Sequence, residues 1–161
     1  MITSFPTPDS DNIGGCRAFK FIEADKVVSM PVASGKMIKS QITLSEGATW
    51  RDGYASVKSL EYSEKMREND AGKYFVTEIT GFYPKINNET LALFSEMKHS
   101  RFIVIITDNN GLSRVAGTIE TPLEFTFDAS SGRNASSRNG LSFAFKGQFI
   151  NESPFYSVNI G

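Results

Sequence analysis

Residues 101–118 read RFIVIITDNNGLSRVAGT. Residues 102–106 are five apolar side chains in a row, with no polar face to turn towards water. Such a run belongs to a strand buried on both sides. Asp108, Asn109, Asn110 and Gly111 follow, and these residue types tolerate positive φ; Asn-Gly is the strongest short signal for a hairpin. The stretch therefore predicts a central strand that turns back on itself.

Working outward, the next two runs alternate. Leu123, Phe125 and Phe127 share one side, and Leu141, Phe143, Phe145 and Phe149 share another, as the two arms of a long hairpin. Upstream, Phe19 and Phe21 share a face. Ile38, Ile42 and Leu44 lie opposite Lys39, Gln41 and Thr43. Lys58, Leu60, Tyr62 and Met66 lie opposite Ser59, Glu61, Ser63 and Lys65, and residues 74–82 form a strand closed by Pro84. Period-2 alternation means that one face packs on a core and the other meets water. One segment breaks the rule: NETLALFSEMKHS from Asn88 has Leu91, Phe94 and Met97 at three-residue steps. With Asn88 as its cap and Glu89 in its first turn, it predicts a helix near 88–98. About eight strands and one helix, without regular strand–helix alternation, give a mainly β chain. The expected fold is an antiparallel β-sandwich or partly open barrel with one short α-helix.

The 161 residues suffice for one domain with its own core. Residues 1–15, with two Pro, two Gly and two Asp, read as an extended N-terminal arm, and 16–161 as a single domain. Lys and Arg number 17 against 18 Asp and Glu, for a net charge of -1, so a surface built throughout to grip phosphates is not expected. The N-terminus carries no basic segment followed by an apolar run, and the longest apolar run is too short to span a bilayer. A cytoplasmic product, or one released by lysis, without membrane partners is expected.

Catalytic chemistry finds little to work with. A nucleophile needs a base in reach, and the single His99 sits beside Lys98 and Arg101 at the end of the predicted helix, where a cation suits the dipole. One His and one Cys, Cys16, make neither a multi-histidine metal site nor an internal disulfide, so neither metal nor cofactor is expected. Glu61, Glu64, Glu68 and Asp70 interleave with Lys65 and Arg67 and read as a solvated strand edge. Trp50 and Tyr54, in TWRDGY, offer an aromatic platform for a sugar, which keeps a carbohydrate-binding module open as an alternative.

Residues 128–140, DASSGRNASSRNG, hold four Ser, two Gly and two Arg and no large apolar side chain. This stretch cannot bury itself, and loops of this length tend to be functional or disordered. It reads either as a tolerated surface loop or as a docking arm, with Arg133 and Arg138 seeking a neighbour's carboxylates. Phe155 and Tyr156 near the C-terminus are either tucked into the chain's own sheet or offered to a partner.

The order of short helix, apolar strand, DNNG turn, GTIETPLEFTFD, polar loop, RNGLSFAFKGQF and SPFY resembles small virion structural proteins of tailed bacteriophages and prophages. Those are placed in the tail or the head–tail junction. The resemblance covers residues 88–156 and implies a non-enzymatic subunit of the virion, made in the bacterial cytoplasm. It further implies assembly into rings, commonly hexameric, with other virion proteins and with DNA passing through a channel. Arg138, Asn139 and Gly140 are then an assembly element, alongside Arg133, Phe155 and Tyr156.

Overall fold

The computed structural model describes Ser4, residues 14–134 and residues 139–159. In chain order the strands are β1 (Cys16–Glu23), β2 (Val27–Ser29), β3 (Met37–Ile38), β4 (Thr43–Leu44), β5 (Arg51–Asp52), β6 (Glu61–Asn69) and β7 (Gly72–Pro84). The helix α1 (Asn88–Met97) precedes β8 (Arg101–Asp108), β9 (Ser113–Ala116), β10 (Leu123–Ser130), β11 (Gly140–Phe149) and β12 (Phe155–Tyr156). Ten strands share one sheet, in which β3, β12, β9, β8, β10, β11, β7 and β6 succeed one another, β1 lies on β8, and β5 lies on β1. The remaining two, β2 and β4, pair separately. The sheet curls into a half-barrel, and the curl brings the Cys16 N–H to the Leu60 carbonyl at 3.3 Å. The chain is thus mainly β with one short helix, as its alternation implies. All pairings between strands are antiparallel except β12 with β3, which is parallel.

The central strand explains the architecture. Phe102, Val104 and Ile106 of β8 point into the barrel, and Ile103 and Ile105 point outward beneath a second layer. The inner cluster gathers Phe19 and Phe21 from β1, Phe125 from β10, and Leu141, Phe143 and Phe145 from β11. The outer one gathers Ile22, Ile38, Ile42, Val115 and Tyr156. Each such side chain contributes roughly 1.5–3 kcal/mol on burial. The expected turn closes β8 onto β9: the Asp108 carboxylate accepts from the Asn110 and Leu112 N–H groups at 2.9 and 3.0 Å, and Gly111 takes φ +87°. The β10–β11 hairpin also forms, with Phe125 opposite Phe145 and Phe127 opposite Phe143.

Three expectations change in detail. The helix is capped by Asn87, not Asn88: the Asn87 side chain accepts from the Thr90 N–H at 2.8 Å. Its buried face is Thr90, Phe94 and Met97, while Leu91 and Leu93 are exposed. The helix lies across one mouth of the barrel, and Phe94 plugs it, its ring 5.2 to 6.1 Å from those of Phe125, Phe127, Phe143 and Tyr83. The alternating stretch around Ile38–Leu44 is not one strand. It breaks between β3 and β4, because the Ile42 N–H turns to the Tyr156 hydroxyl at 3.1 Å instead of a ladder partner. Finally, the segment 128–140 is shorter as a loop than its composition suggests. Asp128, Ala129 and Ser130 pair with Ser142, Leu141 and Gly140, so the ladder takes up both ends of the segment.

Candidate functional site

Away from the helix, the barrel is fastened by charge. On β6, Tyr62 and Glu64 stand opposite Ile79 and Thr77 of β7 and so share the inner face. The Glu64 side chain is only 10% exposed. One of its oxygens accepts from the Tyr62 hydroxyl at 2.6 Å and from Arg114 Nη1 of β9 at 3.1 Å, and the other accepts from the Ser153 N–H at 2.9 Å. The Arg114 guanidinium lies 4.5 Å from the Phe155 ring centroid and 5.1 Å from that of Tyr62. Burial, followed by the hydrogen bond to Glu64, pushes the Tyr62 phenol up to about 12. Three parts of the chain distant in sequence therefore meet at one carboxylate, and the cluster clasps β6 to β9 and to the approach of β12. Glu64 does not lie on a solvated edge as its neighbours suggest, although Glu61 and Glu68 are exposed.

A cleft of about 490 Å³ opens beside this clasp, lined by Cys16, Glu61, Tyr62, Asp108, Leu112 and Arg114 among others. Burial, reinforced by nearby Asp108 and Glu61, raises the Cys16 thiol, which keeps it protonated and weakly nucleophilic. Among the described residues no group of three or more His, Cys, Asp or Glu could hold a metal ion, and no helix is long and apolar enough to cross a membrane.

The residues singled out for assembly fall in different places. Arg133 is exposed in the β10–β11 loop, and Arg138 lies outside the described residues. The Asn139 carbonyl accepts from the Lys85 N–H at 2.9 Å. Gly140 is buried where a Cβ would overlap the Tyr83 carbonyl oxygen, so its lack of a side chain serves strand packing. Phe155 packs under Arg114, and Tyr156 is buried in the chain's own sheet, holding the Ile42 N–H. The two candidate platform residues also separate. Trp50 packs partly buried on the outer cluster, whereas Tyr54, largely exposed, meets Tyr83 edge to face at 5.7 Å beside the helix.

The clasp itself escapes a reading of local pattern, because Arg114 stands in a short hairpin arm fifty residues from its acid. One signal is nevertheless visible. Glu64 has the parity of Leu60, Tyr62 and Met66, and an acid on an apolar face needs a partner. No family model, curated protein or solved structure matches the chain.

Proposed function

We propose that the chain is a non-enzymatic structural subunit that associates head to tail with copies of itself, as a ring or stack component in the tail or head–tail junction of a phage or prophage virion would. The supporting observation is the placement of its two long hairpins. In the β7–β11 ladder Gly140 lies opposite Pro84 and Phe149 opposite Phe75. The β6–β7 turn at Asp70 and Ala71 therefore projects from one end of the sheet, and the β10–β11 loop from the other. The first arm is exposed from Lys65 to Lys73 and carries both signs of charge. The second carries Arg133.

Exposed apolar side chains accompany both arms. Val57 (87% exposed) sits at the end with the β10–β11 loop, and Val32 (94%) and Ile150 (81%) at the other. Two unlike ends, each with an arm and apolar surface, suit a heterologous contact that repeats from copy to copy. The test is to replace residues 131–139 with Asn-Gly, which keeps the Ser130–Gly140 register as a tight hairpin, and to measure absolute mass by light scattering with negative-stain imaging. The full chain should form discrete oligomers or stacks, and the shortened chain should stay folded and monomeric. Unchanged assembly by the shortened chain would sink the docking role of this arm.

A further inference from the structure

Between α1 and the barrel mouth lies a pocket of about 130 Å³. Its walls are the rings of Phe19, Phe21, Phe94, Phe125, Phe143 and Phe145, and exposed Leu93 and Tyr54 stand at its rim. The surrounding rings brace one another at centroid separations of 5.1 to 6.3 Å, most of them tilted or edge to face. They cannot all swing inward to fill the gap without losing those contacts. On the opposite wall the backbone at Gly53 presses so closely on Phe19 that a Cβ there would overlap the ring, and the Gly53 N–H is held by the Phe19 carbonyl at 2.9 Å. This wall is pinned as well. The space is thus held open by packing on both sides, in a region where water finds few polar partners. Enclosed apolar cavities of roughly 150 Å³ accept a benzene molecule, and this pocket has a similar volume but opens to solvent past Leu93 and Tyr54.

We infer that this pocket binds a free, single-ring aromatic molecule. The volume matches one six-membered ring, and the mostly apolar lining offers few partners for the hydroxyls of a pyranose. The walls decide between aromatic and aliphatic occupants: a guest ring can place its edge against the faces of the surrounding rings, which adds to simple area burial. The inference is independent of self-association, since it needs only the single chain.

The experiment uses the full-length chain with benzene, toluene and cyclohexane, read by thermal shift and by ligand-induced NMR shifts of the phenylalanine ring protons. Benzene or toluene should raise Tm in a saturable way with a dissociation constant of about 1 mM or tighter. Cyclohexane, of similar bulk but without a π face, should bind at least fivefold more weakly. Leu93→Trp, a change at an exposed rim position, should block the mouth and abolish the shift while leaving the circular dichroism spectrum unchanged. Absence of binding by both aromatics, equal binding of cyclohexane, or full binding by a folded Leu93→Trp protein would each overturn the assignment. Should Leu93→Trp not fold, Leu93→Ala serves in its place and must retain or strengthen binding, and its loss there would equally overturn it.

Discussion

Glu64 shows how one side chain can join strands that the chain order keeps apart. Its carboxylate is shielded from water, yet it accepts three hydrogen bonds, from a phenol, a guanidinium and a backbone amide. Replacing it with Ala leaves Arg114 partly buried without its acid. The expected loss is about 2 kcal/mol, between the small values of exposed ion pairs and the 3–5 kcal/mol of fully buried ones. Glu64→Gln should lose less, because an amide oxygen still receives the Ser153 N–H. Pairing Glu64→Ala with Arg114→Met should restore part of the loss, since no stranded charge remains; urea midpoints at constant m-value measure all three. Tyr62 adds a pH dependence. Its folded value of about 12 lies above the ordinary 10.0, so the folded state holds its proton longer than the unfolded chain does. Its contribution is intact below about pH 10 and is lost as pH rises from there through about 12. Absorbance titration at 295 nm should show a late tyrosine that Tyr62→Phe removes, and the same change should flatten the alkaline fall in stability. A wild-type titration with no late tyrosine would refute this.

At the scale of elements, the helix is the clearest case of what local pattern can and cannot tell. Its existence is legible in the three-residue spacing of Leu91, Phe94 and Met97. Its orientation is not, because the buried face follows from where it docks. The barrel mouth accepts a single ring, Phe94, flanked by Thr90 and Met97, and so turns Leu91 and Leu93 outward. Two adjacent asparagines make the cap ambiguous in sequence, and only Asn87 has the extended backbone and the hydrogen bond of a cap. Asn87→Ala should therefore cost about 1 kcal/mol, whereas Asn88→Ala should stay within about 0.5 kcal/mol. Chemical denaturation of both variants decides the matter, and equal losses would contradict the Asn87 cap. The break between β3 and β4 has the same origin. Alternation from Ile38 to Leu44 looks like one strand until Tyr156, 114 residues beyond Ile42, offers its hydroxyl. A partner so remote leaves no trace in the local spacing. The twofold-apolar run of β8 and the Phe-rich arms of β10 and β11 are legible because each carries its environment in its own pattern.

At the scale of the whole molecule, the two apolar clusters lie on opposite faces of one sheet and share β8. Phe102, Val104 and Ile106 belong to the inner layer, and Ile103 and Ile105 to the outer. Losing either layer exposes one side of a strand that has no polar residue between 102 and 106, so neither layer can release β8 without weakening the other. The outer layer also depends on segments far apart in sequence, with β12 wedged between β3 and β9. A molecule built this way should unfold in one step. The single tryptophan makes the test direct: Trp50 packs on the outer cluster, so its fluorescence reports that layer. Far-UV circular dichroism reports the whole sheet, most of which surrounds the inner core. The two urea transitions should coincide in midpoint and slope. They should move together when Phe145→Ala opens a cavity on the inner face, a change expected to cost about 3–5 kcal/mol although Phe145 is not among the residues that pack with Trp50. A Trp50 transition that precedes the loss of sheet, or that ignores Phe145→Ala, would mean that β8 does not couple the layers and that the outer one opens by itself.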